Sequence, residues 1–161
     1  MLYLIILITI FLDYFFIYYF PSYFNNLNFL YPMLTLTLII FLYKKVDSKK
    51  YFKIVFLIGF LYDIFFSYIF LFNSLIFLMF AKIIKKIDKY IRINLVINLL
   101  LVILFIFLYD LILFFLVYLS SYNVVTLNDL IYKLKNSLIS NISFYILLNF
   151  TFKNKKISKL K

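Results

Sequence analysis

The side chains in this sequence with chemistry to offer are few, and the most informative is Asp63, set in the apolar run IVFLIGFLYDIFF four residues after Gly59. On a helix that spacing puts both on one face. A carboxylate at membrane depth costs about 2.5 to 3.5 kcal/mol on insertion scales, so it must face protein, water or a hydrogen-bond partner. Gly59 is the only glycine in the chain, and it gives a neighbouring helix a place to approach that face closely. Three chemistries are open to the pair: a packing and topology device, a centre that organises helices or receives a partner, and a site for a proton or a transported solute.

Two further carboxylates sit in apolar surroundings, Asp13 in IFLDYFF and Asp110 in FLYDLILFF. No lysine or arginine lies inside these stretches, which leaves tyrosine hydroxyls, Asn94, Asn98 or water as partners. Converging, the three acids could line a proton path or hold a cation; on separate helices they are satisfied structural acids or interface groups. Asn73-Ser74 falls at a turn, and Asn94 and Asn98, one helical turn apart, are placed to join helices. Pro32 opens an apolar run, where its missing N–H is not needed. Thr35 and Thr37 just beyond it are expected to bond nearby backbone carbonyls. Asp47 and Asp88 stand among lysines and read as solvated charges. The sequons at Asn141 and Asn149 lie within an apolar stretch and are chance matches.

The chain has no cysteine and no histidine, which removes the thiol nucleophile, the imidazole base and the ordinary zinc site. Phosphate-binding loops, dinucleotide fingerprints and the hydrolase elbow are likewise missing from the sequence. The reading is of a protein that is not an enzyme and takes no cofactor or metal.

Hydrophobic residues make up 67% of the 161 positions, against a net charge of +11. A soluble domain of this size could not hide so much apolar surface, so lipid is the expected solvent. Most of the basic residues gather in three clusters, Lys44–Lys53, Lys82–Arg92 and Lys153–Lys161. Lysines that flank apolar runs mark cytoplasmic ends held against anionic lipid, and they do not suggest nucleic acid.

The positioning elements follow. One span runs from about Leu2 to Phe20, closed by Pro21 and the polar stretch Ser22–Asn28, with no cleavable signal peptide expected. A second runs from Phe29 to Tyr43. Between the first two basic clusters an even number of crossings is required, so Ile54–Ala81 must hold two helices, each of about sixteen residues once the snorkelling ends near Tyr51 and Lys85 are borrowed. Each would reach only about 24 Å against a hydrocarbon core near 30 Å. Short or re-entrant helices turning near Ser67–Asn73 are predicted, with a single buckled hairpin as the alternative. Ile93–Leu119 makes a fifth span, Ser120–Asn128 with Asp129 an outer loop, and Lys133–Phe152 the last span. The expected fold is one all-α polytopic membrane domain over residues 1–161, six helices with both termini cytoplasmic.

The segment YPMLTLTLIIFLYKK, followed after a short interval by KIVFLIGFLYDIFFSYIFLFNSLIFLMFAKIIKKI, resembles the rod shape-determining MreD family. That family has a proline-led second span, a basic cytoplasmic loop, and a short helix with Gly-x-x-x-Asp before a turn and another short span. By this resemblance Pro32, Gly59 and Asp63 match recurring positions, with Ser67 and Asn73 in the turn, which is usually glycine-rich but reads SYIFLFNS here. The resemblance implies a non-enzymatic scaffold of the bacterial cytoplasmic membrane. Its partners would be the single-span protein MreC, the MreB filament, and the glycosyltransferase and transpeptidase of lateral peptidoglycan synthesis. Gly59, Asp63, Pro32, Asn73 and Asp110 are the residues expected to bind a partner or organise the helices. The rival implication is the substrate-binding membrane subunit of an energy-coupling factor vitamin transporter, whose six-helix fold the MreD family is thought to share.

Overall fold

A computed structural model describes residues 2–19, 33–66, 70–91, 93–120 and 127–152. They form six helices: α1 (Leu2–Tyr19), α2 (Leu34–Leu42), α3 (Ser48–Phe66), α4 (Phe72–Tyr90), α5 (Leu95–Ser120) and α6 (Leu127–Thr151). Among the described residues there is no strand. Pro32 lies outside the described residues, as do Pro21, Ser22–Asn28, Ser67, Arg92 and the basic tail 153–161.

The sequence of α2, LTLTLIIFL, carries no charge, and a helix that is apolar all round belongs either in a protein core or in a membrane span. Each of its nine residues is buried, and it packs against every other helix of the bundle. The others alternate in direction around it. The end of α3 meets the start of α4 through Asp63 and Asn73, and the end of α4 meets the segment leading into α5 through Asp88 and Ile93. Tyr14 of α1 and Phe66 of α3 touch near the far end of the bundle. Phe41 at the end of α2 meets Phe152, just past α6.

Apolar side chains lie on the outside as well as in the core, and a set of polar groups is buried among the core hydrophobics. Asp13, Thr35, Thr37, Asp63, Asn73, Ser74, Asp110, Ser137 and Asn141 are buried, while Leu4, Phe11, Ile64, Leu75, Leu100 and Ile139 are exposed. Among the described residues one helical segment, Leu95–Leu116, is long and apolar enough to cross a membrane; Leu2–Tyr18 and Ser137–Thr151 are shorter apolar helices.

α3 and α4 depart from the expected lengths. Each has 19 residues, because the lysine clusters continue the helices instead of ending them. Lysine is a good helix former, and neither cluster contains glycine or proline to stop the winding. The uncharged part of α4, Phe72–Ala81, is still only about 15 Å long at 1.5 Å per residue. α6 starts at Leu127, so Asn128 and Asp129 belong to a helix and not to the preceding loop.

Candidate functional site

A helix begins with backbone N–H groups that have no intrahelical partner. Twice in this protein, the carboxylate that meets them comes from the preceding helix. Asp63 on α3 accepts from the Asn73 N–H (2.8 Å) and Asn73 Nδ2 (2.9 Å) through Oδ1. Through Oδ2 it accepts from the Ser74 N–H (3.1 Å) and Ser74 Oγ (2.9 Å). Four donors thus converge on one buried side chain at the start of α4, where the helix dipole also favours an acidic group.

Gly59 makes this possible. A Cβ at that position would lie 2.5 Å from the Ser74 Cα and 2.8 Å from the Ser74 nitrogen, distances that no side-chain rotation relieves because the obstacle is backbone. With no side chain on Gly59, the first turn of α4 sits directly against α3, one helical turn below the carboxylate that caps it.

Asn73 carries the arrangement to a third helix. Its Oδ1 accepts from the Tyr109 hydroxyl of α5 at 2.6 Å while its amide nitrogen donates to Asp63. The turn leading into α4 adds one unusual backbone: Leu71 has φ 64° and ψ 6°, the left-handed region that glycine occupies without steric cost.

The second capped end lies between α1 and α2. Asp13 accepts from the Leu34 N–H (3.0 Å), the Thr35 N–H (2.9 Å) and the Thr35 hydroxyl (2.6 Å). Two residues on, the Thr37 hydroxyl donates to Asn141 Oδ1 of α6 at 2.6 Å, and Asn141 Nδ2 donates to the Ser137 carbonyl. Both threonines therefore bond across helices and not to their own backbone, as their position near a helix start had suggested. Asn141, apparently only half of a chance sequon, is a buried link between α2 and α6.

Of the residues singled out from sequence, Gly59, Asp63 and Asn73 come together. Asp110 is buried on α5, one residue from Tyr109. Ser74, Tyr109 and Thr35 complete the polar contacts. Asn73-Ser74 had the composition of a helix start; nothing in the sequence marked Tyr109 among sixteen tyrosines. Asn94 serves the start of α5, its Oδ1 accepting the Ile97 N–H at 2.9 Å, while the Asn98 side chain, one turn on, meets the Tyr145 hydroxyl of α6.

The opposite end of the bundle is basic. Asp88 accepts from the Tyr43 hydroxyl (3.1 Å) and the Ile93 N–H (3.3 Å), and pairs with Lys44 at 3.8 Å. Lys44 also donates to the Ile93 carbonyl, and Lys45 donates to the Phe152 carbonyl at 2.7 Å. Desolvation, then the Asp88 hydrogen bond and charge, push the Tyr43 hydroxyl up to about 12; desolvation holds Lys45 below the usual lysine range. Asp88, expected to be a solvated charge, instead ties three segments together.

Two helix starts held by buried acids make a rigid frame. Four donors fill the acceptor sites of Asp63 and three engage Asp13, so both carboxylates are committed to holding helix starts. No family model matches this chain, and neither a curated protein nor a solved structure matches it.

Proposed function

We propose that this chain is a six-span protein of the bacterial cytoplasmic membrane, with both termini in the cytoplasm, and that it acts as a non-enzymatic scaffold of the MreD kind in cell elongation. The observation that carries the reading is the convergence of Gly59, Asp63 and Asn73, three of the five residues on which the resemblance rests, into one buried knot. The apolar exterior supports lipid as the surrounding medium, since apolar side chains facing outward cost nothing there and buried polar groups need each other. The basic end, with Lys44, Lys45 and the lysines of α4, supports a cytoplasmic face against anionic lipid.

In this reading the knot fixes α3 and α4 as one unit. Its outward flank, with Phe56, Leu57 and Ile64 exposed, offers a fixed apolar surface to the transmembrane helix of MreC. Through MreC the scaffold links the MreB filament to the glycosyltransferase and transpeptidase that extend the wall.

The test is quantitative mass spectrometry of proteins that copurify with a functional tagged copy from gently solubilised native membranes. Stoichiometric MreC is expected, and Phe56→Ser with Ile64→Ser should lose it while the protein stays folded. Recovery of a coupling subunit with its paired ATPases in place of MreC would overturn the scaffold reading in favour of vitamin uptake.

A further inference from the structure

Lys82, Lys85, Lys86 and Lys89 recur along α4 at i, i+3, i+4 and i+7, the spacing of a single helical face. They line one cleft of about 720 Å³ together with Tyr43 and Phe52. One wall is aromatic, with the Lys85 ammonium 5.4 Å from the centre of the Phe52 ring. Asp88, the acidic residue in the lining, has its carboxylate engaged by Tyr43, Ile93 and Lys44. The four lysines of α4 therefore dominate the charge in the cleft.

Depth along the bundle narrows what such a cleft would take. The uncharged stretch of α4 ends at Ala81 and the lysines begin at the next residue, so the cleft starts where the apolar surface stops. On the membrane reading, upon which this inference rests, that is the level of lipid headgroups. The geometry points to a binding site for the phosphates of an anionic phospholipid, with the lysine face holding the phosphates and the Phe52 and Tyr43 rings packing against the glycerol and upper acyl region. Lys82 to Lys89 span about 10 Å at 1.5 Å per residue, room for two phosphates of one lipid, so a diphosphatidylglycerol type is preferred over a lipid with a single phosphate.

The experiment is native mass spectrometry of the full chain, released from nanodiscs that contain phosphatidylcholine with diphosphatidylglycerol or phosphatidylglycerol, at about 0.5 M salt, where exposed charges act over only a few Å. The K82Q/K86Q/K89Q triple is compared with K49Q/K50Q/K53Q, which removes the same charge from exposed positions of α3. The wild type should retain one diphosphatidylglycerol per chain. The α4 triple should lose it at least tenfold more than the α3 triple, and Phe52→Ala should weaken it while leaving every lysine in place. Equal losses in the two triples would overturn the cleft in favour of diffuse surface charge. Full displacement by soluble glycerol phosphate would overturn a lipid as the source of the phosphate. Release of the chain from membranes by alkaline carbonate would overturn the membrane reading itself, a result distinct from both.

Discussion

The starts of α2 and α4 solve the same problem with the same group, yet with different tolerances. In each, an aspartate from the preceding helix accepts backbone N–H groups and a side-chain hydroxyl from the first turn. Four residues before Asp63 stands Gly59, whose missing side chain leaves space for the Ser74 backbone. Four residues before Asp13 stands Thr9, buried, with its hydroxyl donating to the Ile5 carbonyl at 2.7 Å. The carboxylate supplies the cap in both places, while glycine is needed only where helix backbones meet. Gly-x-x-x-Asp therefore reports close approach, and the aspartate by itself reports capping.

That contrast sets an order of expected effects. Gly59→Val should be the most damaging change, above the roughly 1 to 3 kcal/mol typical of overpacking because backbone must move. Thr9→Val, which keeps the shape and removes a hydroxyl bonded only within its own helix, should cost about 1 kcal/mol. Reversible unfolding by SDS titration, followed by circular dichroism, measures both, and similar losses would end the distinction between the two ends.

Next come the acids. Asp63→Ala removes a cap and strands buried donors, for a loss of about 2 to 4 kcal/mol, and Asp13→Ala should fall in the same range. Their linkage should differ. Tyr109→Phe, which deletes the hydroxyl bonded to Asn73, should cost about 1 kcal/mol alone. Combined with Asp63→Ala, to which it is linked through Asn73, it should be non-additive by at least about 0.5 kcal/mol, and clearly more so than with Asp13→Ala, which shares no hydrogen-bond partner with it. Additivity in both pairs would mean that Asn73 does not transmit the Asp63 contact to α5.

The smallest effect belongs to the basic end and needs high pH. The Tyr43 hydroxyl is raised to about 12 from 10.0, so the folded state holds its proton more tightly than the unfolded one. Its stabilisation is complete below pH 10 and declines as pH climbs through that window. A wild-type minus Tyr43→Phe difference in phenolate absorbance should place the transition above that of ordinary tyrosines. A transition near 10 would show the Asp88 contact to be loose.

Much of this architecture could be read from residue order. The long apolar run after Asn94 can only be a helix, and Gly59 four residues before Asp63 announced a shared face. The lysine clusters misled because charge marks a membrane boundary but does not end a helix: Lys49, Lys50 and Lys53 keep α3 winding, as Lys82 to Lys89 keep α4. The Asp13–Thr35 and Thr37–Asn141 contacts were out of reach for a different reason. Their partners lie 22 and 104 residues apart, and helical periodicity gives faces without saying which faces meet. Tyr109 was hidden by abundance, since a tyrosine-rich composition strips any one of them of signal.

The burial of α2 on every side bears on how the protein is made. α2 leaves the ribosome ahead of α3 to α6, all of which pack against it, and Thr37 waits for Asn141, more than a hundred residues behind it. At about 5 to 20 residues per second, that leaves the centre of the bundle uncovered for roughly 5 to 20 seconds of translation. Throughout that interval the face of α2 that meets α6 is uncovered, so the arrival of α6 is the step expected to make the emerging chain resistant to proteases.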